Sequence, residues 1–180
     1  MADEATDLIA RGDRARREGR LDEAQDAYRQ ASELLRAPGR EATLASALAG
    51  LGRIARDRGQ RDEALRHYHD ALALSRLHGS PLAAAHYARH LGDIHLELGQ
   101  AAQAEPHVRE ALETCRGHLD TKVLDLANVL RSMALVETAL GRRDAALGFW
   151  QEARLLYAAI RIDDGVSECA RQVEDLRRIR

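Results

Sequence analysis

Small and bulky apolar residues recur among charged ones at helical intervals along this chain, and the pattern returns on itself. The segments GRLDEAQDAYRQA, GQRDEALRHYHDA, GQAAQAEPHVREA and GRRDAALGFWQEA begin at Gly19, Gly59, Gly99 and Gly141, so successive copies are 40, 40 and 42 residues apart. Seven positions before each glycine stands a small residue: Gly12, Gly52, Gly92 and Ala134. Five positions after it come Ala24, Ala64, Ala104 and Ala146, and seven beyond those Ala31, Ala71, Ala111 and Ala153. Between the two alanines sits a bulky residue, Tyr28, Tyr68, Val108 or Trp150. Such spacings place small and bulky residues on defined helix faces. The small ones let two helix backbones approach closely, and the bulky one fills the space between that pair and the next.

The pattern predicts helices over roughly 3–18, 22–36, 41–58, 62–77, 82–98, 102–117, 121–140, 144–161 and 166–178. Asp22, Asp62 and Asp144 follow the anchor glycines closely enough to cap exposed amides at helix starts. Ser80-Pro81 reads as a cap followed by proline at the first helical position. Pro38-Gly39 cannot continue a helix and separates the first hairpin from the second. Pro106 falls near the start of its helix and is not read as a break. In the last helix Val166, Cys169, Val173 and Leu176 form one apolar stripe, with Arg171, Glu174, Arg177 and Arg178 between them, as expected of a cap with one dry and one wet face.

With the anchor glycine counted as the fifteenth position of a unit, the small residues fall at positions eight, twenty and twenty-seven and the bulky one at twenty-four. In these positions the chain resembles the tetratricopeptide repeat family. Two departures stand out: Arg11 occupies a place where the family has leucine, and its aromatic at position eleven is replaced by Ala15, Ala55, His95 and Glu137. The period exceeds the common one of about 34 residues. It is similar instead to the longer repeats of kinesin light chains and bacterial regulators, whose A-E-P segment is matched by Ala104-Glu105-Pro106. The resemblance implies an all-α, right-handed superhelical solenoid in a single domain over 1–180. Four hairpins, approximately 3–39, 41–80, 81–119 and 121–163, would be closed by a capping helix over 166–178. A lone hairpin cannot bury its apolar face, so stacking supplies the core.

Composition agrees with this picture and narrows the functions. Hydrophobic residues make up 45% of the chain and charged ones 31%, with three prolines, as in a soluble helical protein. A formal charge of −2 gives no reason to expect a nucleic-acid partner, and exposed aromatics for base stacking are not in view. The basic residues are arginines except Lys122. The first residues, MADEATDLIA, lack a basic stretch followed by a long apolar run, and no later segment approaches a membrane span, so a cytoplasmic location without membrane contact is expected. Cys115 and Cys169 stand far apart at apolar helical positions, which suits buried free thiols better than a disulfide.

Chemistry is hard to find. His86 and His90 lie four apart on one helix with His95 beyond, but no third metal ligand is evident and the intervening Tyr87-Ala88-Arg89 lacks the glutamate of a zinc protease motif. They read as ordinary groove or surface histidines. His67 and His69 flank Tyr68 and are expected to face solvent, whereas Tyr28, Tyr68 and Trp150 are expected in the core. No nucleophile elbow, phosphate loop or dinucleotide fingerprint appears. No catalytic residue, cofactor or metal is expected.

What the family resemblance does imply is a concave wall built from the first helix of each hairpin, carrying ligand contacts at positions two, five, nine, twelve and thirteen. These are Thr6, Ile9, Asp13, Arg16 and Arg17; Ser46, Ala49, Arg53, Arg56 and Asp57; His86, Arg89, Asp93, Leu96 and Glu97; and Asn128, Arg131, Leu135, Thr138 and Ala139. The family's clamp for chaperone tails is not reproduced, since Ile9 and Asp13 occupy two of its places. The candidate groove therefore centres on Arg16, Arg53, Arg56, His86, Arg89, Asp93, Asn128 and Arg131. A row of arginines would suit an acidic or carboxylate-bearing peptide, with Asn128 bonding its backbone. The competing possibility is that these arginines are solvated or paired with Asp13, Asp57 and Asp93. The expected role is a protein-interaction scaffold or regulatory module holding another protein or peptide. The alternative is a homo-oligomer formed through terminal repeats, with RNA binding a distant third.

Overall fold

A computed structural model describes residues 2–78 and 81–178, with side chains from residue 4 onward. Among the described residues there are no strands, and nine helices follow in order: α1 (Ala2–Arg17), α2 (Leu21–Leu34), α3 (Glu41–Asp57), α4 (Arg61–Leu77), α5 (Pro81–Glu97), α6 (Ala101–Gly117), α7 (Val123–Ala139), α8 (Arg143–Ala159) and α9 (Asp163–Arg178). They pack as successive antiparallel hairpins, as the repeat predicts. Among the described residues no helix is long and apolar enough to cross a membrane.

The anchor glycines make the corners. Gly19, Gly59, Gly99 and Gly141 all adopt φ between +72° and +78°, the left-handed conformation that glycine enters without steric cost. At the first corner the Gly19 amide donates to the Arg16 carbonyl at 3.0 Å and the Arg20 amide to the Ala15 carbonyl at 2.9 Å. These paired bonds close a helix end that would otherwise leave carbonyls unsatisfied. The same pair recurs at Gly59, Gly99 and Gly141. A fifth corner, before α9, makes it without glycine: Arg161 sits at φ 58°, with Arg161 and Ile162 donating to Ala158 and Tyr157. That hidden corner is why α9 begins at Asp163 rather than the expected 166. A side chain in this conformation costs about 1–2 kcal/mol. Arg161→Gly is therefore expected to stabilise the protein by about 1 kcal/mol, read as a rise of ~2–4 °C in Tm; an unchanged or lower Tm would refute the assignment of strain.

The helix starts at Arg20, Gln60 and Arg142 carry no side-chain cap bond. Asp22, Asp62 and Asp144 lie inside the first turn, where their charge meets the positive end of the helix dipole instead of capping an amide. Ser80 lies outside the described residues. Pro106 is indeed accommodated within an unbroken α6, but at the sixth position, past the amides that every helix leaves unpaired, so it removes one ladder bond.

The close approaches are where the small residues predict them. A Cβ added to Gly12 would come within 2.8 Å of the Tyr28 ring, and one added to Gly50, on the next hairpin, within 2.4 Å of it. Gly52 stands against Tyr68 and Gly92 against Val108 in the same manner. Tyr28, Tyr68, Val108 and Trp150 are completely buried. Inner helices are buried around much of their circumference: α3 buries Ala45, Ala47, Ala49, Gly50, Leu51, Gly52, Ile54 and Ala55. By contrast α9 buries only the stripe Gly165, Cys169, Val173 and Leu176, with Gly165 under the Tyr157 ring. Both cysteines are free and buried.

The helices group into two compact units, Met1–Tyr87 and Ala88–Arg180, with the division falling inside α5. In the first, α1 packs on α2 and α3, and α3 on α2 and α4. In the second, α7 packs on α6 and α8, and α8 on α9.

Candidate functional site

In the first unit, residues at helical spacing on α1 and α3 face a common space. Ile9 and Asp13 are one turn apart on α1, and Ser46, Ala49 and Arg53 follow one stripe of α3. With Tyr68 of α4 and His86 and Tyr87 of α5 they line a pocket of about 290 Å³. Six of these eight residues belong to the set implied by the family's ligand positions: Ile9, Asp13, Ser46, Ala49, Arg53 and His86.

A three-membered polar network forms one side. The Tyr28 hydroxyl donates to Asp13 Oδ1 at 2.6 Å, and Arg53 Nη2 donates to the same oxygen at 2.8 Å. The Arg53 guanidinium also lies 5.9 Å from the Tyr28 ring centroid, within cation–π range. Burial, reinforced by the bond to Asp13, pushes the Tyr28 phenol above its ordinary range, so it remains a donor at any physiological pH. The Arg53 Nε–H is buried and finds no hydrogen-bond acceptor among the described residues. On the apolar side are Ile9, Ala49 and Tyr87, whose ring lies 6.5 Å from that of Tyr68 and 5.6 Å, edge to face, from His86.

The other candidate residues are engaged locally. Arg16 Nε donates to Asp57 Oδ2 at 2.7 Å, joining α1 to α3. Arg56 does not line the pocket; its carbonyl accepts from Arg61 Nη1 at 2.7 Å. In the second unit Arg89 Nη1 donates to Asp93 Oδ2 at 2.7 Å, and Ser132 Oγ donates to Asp93 Oδ1 at 2.6 Å. Arg131 forms a forked pair with Glu168 of α9, at 2.7 and 2.6 Å. That pair holds the Arg131 guanidinium above its ordinary pKa. Asn128 Oδ1 accepts from the Tyr157 hydroxyl at 2.8 Å, so one half of the amide reserved for a peptide backbone is occupied.

The histidines divide in the same way. His86 walls the pocket, while His90 Nε2 lies 2.9 Å from the Arg89 guanidinium, an unfavourable neighbour for a metal ligand. His69 is exposed as expected, but His67 is half-buried and burial lowers its pKa.

Tyr68 is a core residue as expected and a pocket wall as well. Tyr87 was not marked by the family pattern. It is an aromatic where the other copies carry Asp7, Ala47 and Val129, and that departure from the repeat is the signal that singles it out.

A family model described as MalT-like TPR region matches residues 5–178. No curated protein matches the chain. Among solved structures, the apo form of RapI is similar with a TM-score of 0.83 at 15% identity, over 93% of this chain and 60% of that one. A Rap protein complexed with Competence and Sporulation Factor gives a TM-score of 0.78 at 17% identity, over 96% of this chain and 48% of that one. Nearly identical TPR-like repeats assigned to a kinesin light chain of Podosopora anserina give 0.72 at 13% identity, over 98% of this chain and 96% of that one. This chain thus spans less than two thirds of the RapI and Rap chains it is similar to.

Proposed function

Because the chain belongs to the MalT-like TPR region family, we propose that it is a protein-binding regulatory repeat module which holds a partner peptide against the first-helix face of its Met1–Tyr87 unit. The observation that carries this reading is the pocket among α1, α3 and α5. The family resemblance implies ligand contacts at six of its eight lining positions, and the pocket offers donors, acceptors and apolar surface together. The Rap protein complexed with Competence and Sporulation Factor shares this fold and supports the reading by analogy.

The arginine row has less to offer an acidic partner than its sequence suggests. Arg16, Arg53, Arg89 and Arg131 each already meet a carboxylate of the chain itself, at 2.6 to 2.8 Å. An acidic ligand would compete with those groups, so a peptide gripped by its amides and by one side chain fits the face better.

The test is site-specific photocrosslinking in an extract of the source organism. A photoreactive residue replaces Arg17 on the first-helix face or Arg66 on the exposed side of α4. Specific adducts from position 17 and none from position 66 are expected. Adducts confined to position 66 would move the binding surface elsewhere.

A further inference from the structure

The pocket of the first unit carries a narrower inference, which rests on the peptide-binding reading. We propose that it is a socket for one bulky, uncharged side chain, leucine or phenylalanine in kind, of an extended peptide whose adjoining amide is held by Asp13 and Arg53.

Size is the first argument. At about 290 Å³ the pocket lies at the lower edge of the range of roughly 300–1,000 Å³ that accommodates whole small-molecule ligands. It has room for a side chain and its amide, not for a folded segment. Chemistry is the second. Ile9, Ala49 and the Tyr87 ring form an apolar wall, and Tyr87 is supplied by this copy alone, where neighbouring copies carry Ala47 and Val129. Its ring packs on Tyr68 at 6.5 Å and lines the cavity as well, offering an entering side chain a broad apolar surface.

Charge complementarity is the third argument, and it selects an uncharged guest. Asp13 and Arg53 already neutralise each other at 2.8 Å. An entering carboxylate is drawn to Arg53 and repelled by Asp13 at nearly the same distance, and an entering cation meets the reverse. A peptide amide escapes both penalties. The two bonds that Asp13 accepts fall on Oδ1, leaving Oδ2 to accept a peptide N–H. Arg53 has an enclosed Nε–H for which the described residues supply no acceptor, and a turn of its guanidinium toward the pocket would offer a donor to a peptide carbonyl.

The experiment is an NMR titration of the isotopically labelled full chain with four probes: the N-acetyl amides of phenylalanine, leucine, aspartate and arginine. Saturable shifts centred on Ile9, Ala49, Arg53 and Tyr87 are expected with the first two, and binding about tenfold or more weaker with the charged pair. Ser46→Phe, a half-buried change at the pocket, should remove those shifts with little change in Tm, while Ser46→Ala retains them. Should Ser46→Phe unfold the chain, the smaller filling change Ser46→Leu serves instead, weakening the phenylalanine probe by about tenfold. The socket is refuted if neither apolar probe saturates, or if the aspartate probe binds as well as they do. Loss of the socket with crosslinks at position 17 intact would leave the peptide-binding reading standing; loss of those crosslinks would remove the reading itself.

Discussion

Trp150→Ala is expected to destabilise the protein by about 3–5 kcal/mol, the range for emptying a large aromatic from a packed core. Trp150 is completely buried in α8, and its indole N–H points to Thr138 Oγ1 at 3.4 Å. It takes the place of Tyr28, Tyr68 and Val108 in the other copies, and Ala134, the small residue of its own copy, is also completely buried. The packing of α7 against α8 leaves the surrounding residues little freedom to close the resulting void. Chemical denaturation should show the midpoint falling with little change in slope. A loss below about 1 kcal/mol would mean that the α7–α8 hairpin tolerates a cavity, contrary to the packing described. Trp150→Phe should recover part of the loss.

Reversing Arg89 to glutamate should cost about as much, roughly 3–5 kcal/mol, through electrostatics instead of volume. The Arg89 and Asp93 side chains are only 13% and 9% exposed, one helical turn apart on α5. Arg89→Glu sets two carboxylates together where water cannot screen them. Adding Asp93→Asn should restore much of the stability, and a double-mutant cycle in urea reads the coupling. If Arg89→Glu unfolds at the parent midpoint, the pair is solvated and Arg89 is free to serve a ligand. The consequence is practical: charge reversal at Arg89 is a poor probe of binding, since loss of capture would follow from loss of structure.

The hairpins were legible because their signals are local and repeated. A glycine with a small residue seven positions before it and an alanine five after it reports a corner and two close-packed helices wherever it occurs. The ninth helix start was misplaced because Arg161 makes the same corner without the glycine that announces it. The sequence offers Asp22, Asp62 and Asp144 as caps because proximity to a helix start does not reveal whether a carboxylate lies one residue before the first turn or inside it.

Most of the lining of the candidate pocket was legible in the sequence, but not the pairing of its charges. Positions carried over from the family resemblance include Ile9, Asp13, Ser46, Ala49, Arg53 and His86, which the fold brings to one pocket. Pattern alone could not show that Arg16 and Arg53 reach across to Asp57 and Asp13, because those pairs join residues about 40 apart in the chain. Glu168, the partner of Arg131, lies on a helix outside the four copies and carries no repeat signal.

Asp13 and Arg53 occupy the same position of consecutive copies with opposite charge, and they meet at 2.8 Å. Their copies are therefore not interchangeable bricks. Duplicating the first copy in place of the second would set aspartate beside aspartate, and duplicating the second in place of the first would set arginine beside arginine. Either shuffle keeps the corner glycine and the small and bulky repeat positions yet loses the attraction that sets adjacent modules in order, so recombination within the array is constrained by charge as well as by shape.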